Sequence, residues 1–438
     1  MYKFPQFSRT SLDNGLQIVY IPDSEQQAVT VAMQIRVGEF SDPVSLEGVA
    51  GLTVSLLQKG SAGLTAEQFA DRLERTGTSL FAETGDEHIV IGFKTLSRHA
   101  KSIMLLFRDM LCSPGFDKRE LARLKKELIT SLQAETSDAN SLANRHFFSH
   151  LCGKNHPAGR LHTIQSVKKI DISHIRSFYS SFFTPANCML VIAGHFSQSE
   201  GCREWSDLFS SWNSVKTVES CIAGQIPALA ETSIRLVDKA DITQTYFILG
   251  HPAPGELIPD RNALALANYC LGGGNFSSRL MDKVRSAKGK TYGISSQISC
   301  NKICGIFMIS TATQSAQATE VLGTIFDVYK KFSEDGITAA ELEKAREFAI
   351  GNMAFQLEGI CNIVDKFLGL NLYDRDISYM ENFDSAISAI SLDDVNEAIR
   401  KYLSSKYFSI VAVGKKEEIY NQLSAFGKVT CMNFRARA

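Results

Sequence analysis

The chain carries one pattern twice. Gly115-Phe116-Asp117-Lys118-Arg119-Glu120-Leu121 opens a segment whose apolar residues fall at Leu121, Leu124, Leu128, Ile129 and Leu132, the 3.6-residue period of an amphipathic helix. About 220 residues downstream, Gly336-Ile337-Thr338-Ala339-Ala340-Glu341-Leu342 opens a second such helix, with Leu342, Ala345, Phe348, Ala349 and Met353 on one face. Both starts combine a Gly, a capping-type residue and a Glu-Leu pair. The same shift carries Ile170-Asp171-Ile172-Ser173-His174-Ile175 and the strand-like Met189-Leu190-Val191-Ile192-Ala193-Gly194 onto Ile390-Ser391-Leu392-Asp393-Asp394-Val395 and Ser409-Ile410-Val411-Ala412-Val413-Gly414. Several matches at nearly one offset predict two homologous α+β domains.

Each half begins with half-buried strands (Gln17-Ile18-Val19-Tyr20 and Val29 to Val37; Thr245 to Leu249) and then alternates helices with strands. That order predicts a mostly antiparallel sheet with helices on one face of it in each half. The halves are bounded as 1–215 and 233–438, joined by a linker over 216–232, because Thr217 to Thr232 lacks clear periodicity.

Composition removes several function classes. Lys+Arg is 46 against Asp+Glu 47, and a net charge of -1 gives no broad field for nucleic acid or an anionic membrane. No stretch approaches the roughly 20 apolar residues of a membrane helix, and Met1-Tyr2-Lys3-Phe4-Pro5-Gln6 lacks the apolar core of a signal peptide. The expectation is a cytoplasmic chain, with an export signal already removed being invisible to this reading. Ten cysteines contain no C-x-x-C pair and read as scattered free thiols.

Two stretches carry chemistry. Arg36-Val37-Gly38-Glu39, followed by Gly48-Val49-Ala50-Gly51-Leu52-Thr53-Val54-Ser55-Leu56-Leu57-Gln58-Lys59-Gly60-Ser61, resembles the zinc helix of the inverzincin metallopeptidases, typified by pitrilysin and mitochondrial processing peptidase. That helix normally carries H-x-x-E-H between a Gly-hydrophobic-Ala lead and a Lys-Gly-Thr/Ser tail. Lead and tail are present here, but the three chemical positions are Gly51, Val54 and Ser55. The family's third ligand, a Glu on a later helix, falls on Ser131, with Glu127 and Glu135 one turn to either side. Zinc needs imidazole, thiolate or carboxylate ligands, and its water needs a carboxylate base, so no metal ligand is assigned to this chain. His146 and His150 have i, i+4 spacing but no neighbouring Glu, and read as surface or partly buried histidines; His88, His99, His162, His174, His195 and His251 show no ligand spacing.

The second stretch is Leu271-Gly272-Gly273-Gly274-Asn275-Phe276-Ser277-Ser278-Arg279-Leu280, followed by Val284-Arg285-Ser286-Ala287-Lys288-Gly289-Lys290-Thr291-Tyr292-Gly293. It resembles the family's C-terminal G-G-G-x-F-S-S-R-L…R-x6-Y signature almost letter for letter. The resemblance implies that Gly272, Gly273, Gly274, Arg285 and Tyr292 form a substrate-binding surface, with Arg285 and Tyr292 holding the substrate's carbonyl beside the zinc. Arg279 reads as structural. One departure is Ala287-Lys288-Gly289-Lys290, where family members often have Lys-Arg-Gly-Leu.

The resemblance runs over roughly residues 10 to 425 and implies that the two domains form half of a clamshell. A chain without the metal triad but with the Arg/Tyr pair fits the family's division of labour. It is then the non-catalytic subunit of a heterodimeric zinc peptidase acting on unfolded peptides. The zinc is expected in a homologous partner with intact H-x-x-E-H; alone, this chain is expected to be inactive, and to form at most a homodimer. The alternative is a peptidase-derived scaffold or binding protein with no role in hydrolysis.

Overall fold

The computed structural model describes residues 4–196, 198–213, 219–286 and 291–434; the side chains of 198–203, Asn275, Arg285, Ser286 and Tyr292 lie outside that description. The first sheet is built from β1 (Ser8–Ser11), β2 (Gln17–Pro22), β3 (Ala28–Ile35), β4 (Ser79–Thr84), β5 (Ile89–Leu96) and β6 (Cys188–Gly194), in the order β1-β2-β6-β3-β5-β4. The second contains β7 (Ser233–Asp238), β8 (Gln244–Pro254), β9 (Thr291–Cys300), β10 (Cys304–Gln314), β11 (Ser409–Gly414) and β12 (Lys428–Asn433), in the order β12-β7-β11-β8-β10-β9.

Apart from one edge strand each, the two sheets have the same plan. β2 and β6 are parallel, as are β7 and β11, while the pairs β3 with β6, β3 with β5 and β4 with β5 are antiparallel like their counterparts in the second sheet. The edges differ because β1 precedes β2 and runs antiparallel to it, whereas β12 ends the described chain and runs parallel to β7. The duplication read from helix spacing is therefore a duplication of topology. No helix or strand is found among described residues 219–232.

The chain folds into two compact units, Met1–Ser131 with His162–Ile222 and Ala354–Glu381, and Leu132–Leu161 with Ala223–Met353 and Asn382–Ala438. Each half thus lends a helix to the other unit. Ala139–Cys152 belongs to the second unit and Ile360–Leu372 to the first. Both lent helices follow directly on the duplicated Glu-Leu helices, Lys118–Glu135 and Ala339–Gln356.

These lent helices account for strands buried without alternation. β6 and β11 are buried at every residue, the signature of a strand covered on both faces. On β3, Thr30 and Gln34 face Ile360–Leu372, through Thr30 Oγ1 to Cys361 Sγ at 3.6 Å and Gln34 Nε2 donating to Leu368 O at 2.9 Å. Val29, Val31, Met33 and Ile35 alternate onto the opposite face and are fully buried there. In the second sheet, Phe247, Leu249, Ile410 and Ala412 join the core formed with helices Arg261–Asn268 and Ala318–Asp335. The opposite face receives Ala139–Cys152: a Cβ on Gly250 would come 3.0 Å from Phe147 Cζ. Helices on one face is thus the plan of each half's own elements, and the lent helix adds the second face.

Candidate functional site

The degenerate zinc helix, Val49–Leu57, starts at Gly48 with φ +104°, a left-handed conformation that favours glycine. No residue at this N-terminus caps through its own side chain. Instead Asp42, 3% exposed, reaches in from the preceding turn, and its carboxylate accepts from Gly48 N at 2.6 Å and Ala50 N at 2.9 Å. Burial pushes the Asp42 carboxyl up to about 7, against the opposing pull of those two N–H groups and of His162.

One face of this helix presents Gly51, Val54 and Ser55, at the i, i+3 and i+4 positions that turn together. They line a pocket of about 420 Å³ together with Ser131, Leu124, Glu127 and Leu128 of Lys118–Glu135, Ala82 and Thr84 of β4, and Glu39, Leu52, Gln58 and His162. The four positions matched to the family's zinc chemistry, 80 residues apart at the extremes (131 − 51), therefore meet in one place. What they offer there is a bare backbone, an isopropyl group and two hydroxyls.

The ionisable groups of the pocket wall pair among themselves or with neighbours. His162 Nε2 lies 3.4 Å from Glu39 Oε2, and Arg123 Nη1 lies 2.5 Å from Glu127 Oε1. Among the described residues, no group of three or more His, Cys, Asp or Glu side chains could hold a metal ion. This donor set does not fit zinc. Glu135 is turned to Arg145 at 3.4 Å, in the other unit from the pocket. Sequence spacing did not flag Glu39 and His162; 123 residues separate them (162 − 39), and only the fold brings them together.

In the second unit, the three glycines do not form a free turn. Tyr269–Gly273 continues helix Arg261–Asn268 as a wider π-helical turn, packed against β9. A Cβ on Gly272 would stand 2.5 Å from Ser296 Oγ and 2.6 Å from Ser296 N, so the close approach itself demands glycine. Asn268 holds the same strand residue: its Nδ2 donates to Ser296 O at 3.2 Å and its Oδ1 accepts from Ser296 Oγ at 2.8 Å.

Arg279 forms a two-pronged pair with Glu341, Nε to Oε1 at 2.6 Å and Nη2 to Oε2 at 2.8 Å. Glu341 Oε2 also accepts from Thr338 N at 2.8 Å, so Arg279 ties the segment after the glycines to the start of Ala339–Gln356. That is the structural role expected of Arg279. Arg285 sits on the backbone turn Met281–Ser286, and Tyr292 is the second residue of β9, the edge strand of its sheet. Their side chains, and all of 287–290, lie outside the described residues.

His146 and His150 lie on the lent helix against β7, His146 meeting Arg235 through its backbone carbonyl and His150 meeting Ser233 through its ring. Arg235 Nη1 donates to His146 O at 3.2 Å, and His150 Nε2 is 3.1 Å from Ser233 Oγ. His146 is buried to 1% exposure, deeper than the sequence suggested, with no hydrogen-bond partner for Nδ1 among the described residues. Burial, then the nearby Arg235 charge, pushes both imidazoles down to about 4.

Comparison with known proteins agrees with this architecture. Residues 17–160 match the family described as Insulinase (Peptidase family M16), and residues 169–348 match the Peptidase M16 inactive domain. The chain belongs to peptidase family M16. It is 24% identical over 388 residues to a Helicobacter pylori protein named as a non-peptidase homolog, covering 87% of this chain and 88% of that one. It is 23% identical over 413 residues to a Bacillus subtilis protein named as an uncharacterized zinc protease, covering 91% and 96%. Among solved structures, an M16 inactive domain from Pseudomonas fluorescens superposes with a TM-score of 0.86 at 23% identity, over 94% of this chain and 98% of that one. A protease from Helicobacter pylori superposes at 0.83 and 18% identity, over 93% and 99%. No helix among the described residues is long and apolar enough to cross a membrane.

Proposed function

We propose that this chain is the non-catalytic subunit of a two-chain zinc peptidase. A homologous sister with intact H-x-x-E-H holds the zinc, and this chain supplies Arg285 and Tyr292 to the sister's active site for hydrolysis of unfolded peptides. The observation that carries the reading is an asymmetry. The pocket where the family keeps its metal is lined by Gly51, Val54, Ser55 and Ser131, whereas the Gly-rich Arg/Tyr motif is kept almost letter for letter. The Helicobacter pylori relative, named a non-peptidase homolog, supports the first half of it.

The residues suit the role. Arg285 is a permanently charged planar fork, and Tyr292 a phenol able to donate to a developing oxyanion in a cleft of low dielectric. One comparable donor typically stabilises a transition state by about 3 kcal/mol. A zinc in the sister would polarise the scissile carbonyl and supply the attacking hydroxide. This chain's part is to hold and orient the peptide there.

The test is to assay this chain, a zinc-bearing sister from the same organism, and their mixture on an unfolded peptide. The expected result is chelator-sensitive hydrolysis by the mixture and none by this chain alone. Hydrolysis by this chain alone, or a sister whose full activity is indifferent to it, overturns the reading.

A further inference from the structure

A second pocket of the first unit, of about 320 Å³, lies where β1, β2 and the end of β3 meet the C-terminal end of helix Ile360–Leu372. Arg36 follows Gln34 by two residues and reaches the same helix that Gln34 does. Its Nη2 donates to Asn371 O at 3.1 Å and to Asn371 Oδ1 at 3.2 Å, and lies 2.9 Å from Asp374 Oδ1. Among the described residues nothing accepts from Arg36 Nε or Nη1, so one nitrogen fixes the guanidinium and two remain open donors.

Arg9 of β1 offers a whole fork. Its guanidinium carbon stands 5.7 Å from the centre of the Phe367 ring, and its charge is felt by Asp376. Among the described residues it makes no hydrogen bond and no ion pair. A guanidinium packed on an aromatic face keeps its edge donors for another group.

The lining carries Arg9, Arg36 and Arg375 against Asp374 and Asp376, an excess of one positive charge (3 − 2). Arginine does not deprotonate in a protein, so the excess persists at neutral pH and above. One excess charge complements a monoanion, and a planar fork complements the two oxygens of a carboxylate. Phe7, Phe367, Leu370 and Ile377 complete the walls with apolar surface, and the volume lies within the range of small-ligand sites.

We propose that this pocket binds a small monocarboxylate with an apolar body, its carboxylate held by Arg9 and Arg36. The site needs no zinc and no sister chain. Its failure would leave the proposed function untouched, and the failure of that function would leave this site standing.

The test uses the full chain alone, titrated by calorimetry near neutral pH with hydrocinnamate, its uncharged amide hydrocinnamamide, and inorganic phosphate. Hydrocinnamate is expected to bind at least about tenfold tighter than either of the others. Arg9→Gln should weaken hydrocinnamate at least about tenfold and leave the amide unchanged, and Arg36→Gln should do the same. Arg36 also holds the helix end, so the exposed Arg9 supplies the decisive variant should Arg36→Gln fail to fold. Absence of hydrocinnamate binding, equal binding of acid and amide, tighter binding of phosphate, or an unchanged hydrocinnamate affinity in Arg9→Gln each overturns the proposal.

Discussion

Phe348 stacks on Tyr269, with ring centroids 4.6 Å apart and planes 29° apart. The shift that carries Leu121 onto Leu342 carries Glu127 onto Phe348, so one duplicated helix presents a carboxylate to the degenerate zinc pocket and the other an aromatic ring to the start of the Gly-rich turn. One ancestral plan has been given two chemistries. In the first unit this helix position borders a pocket; in the second it makes a ring stack.

The pocket account has a constructive consequence. Gly51→His, Val54→Glu and Ser55→His together should not yield a chain holding zinc, because Ser131 leaves the third ligand missing. Adding Ser131→Glu should produce one zinc per chain, since all four positions line the same pocket. Metal analysis after gel filtration distinguishes the cases. Zinc retained by the triple variant as firmly as by the quadruple one would show that another group completes the site.

Stability should depend on pH through two opposed groups of residues. Asp42, with its folded carboxyl at about 7 against an ordinary 3.8, contributes stability that is full below about pH 4 and lost as pH rises through about 7. His146, His150 and His251, held at about 4 against 6.5, contribute stability that is full above about pH 6.5 and lost as pH falls through about 4. Three groups outweigh one between pH 4 and about 6.5, so urea midpoints should rise there, less steeply than the histidines alone would give, and fall slightly to about pH 7 before levelling. Asp42→Asn should steepen the acid limb and abolish the small fall above about pH 6.5. A decline of unchanged size in that variant would refute the role given to Asp42.

The lent helix should be a large stability element of the second unit. Phe147 is fully buried there, beneath Gly250, and Phe147→Ala should cost about 3–5 kcal/mol by denaturant unfolding. Arg235→Met, which removes the donor to His146 O, should cost less, about 1–3 kcal/mol. A loss below about 1 kcal/mol for Phe147→Ala would mean that the helix is not anchored by this contact.

Much of this was legible in the residues, and what was not has physical reasons. Period-2 and period-3.6 patterns are local, so they located β2, β3, β6, β8 and β11, the Glu-Leu helices and their repetition, while the other strands were not singled out. The flanks Gly48-Val49-Ala50 and Lys59-Gly60-Ser61 set the register of Gly51, Val54 and Ser55, and the match over Lys126 to Ala143 that of Ser131; all four line one pocket. A helix's apolar face does not name its partner, and so nothing in Ala139–Cys152 announced that it would cover β8 and β11. Glu39 with His162, and Asn268 with Ser296, are single polar pairs made by the fold across long separations. Spacing rules carry no information about such pairs. The glycines at 272–274 were readable as a motif, but the strand that crowds Gly272 was not.

The most direct measurement of the central claim is the turnover of the reconstituted pair when this chain carries both Arg285→Ala and Tyr292→Phe. The expected result is a fall in kcat/KM of at least roughly a hundredfold, with the pair still assembled and the sister's zinc still bound. Turnover equal to that of the unmodified pair would contradict the claim and leave this chain a scaffold built from a peptidase fold.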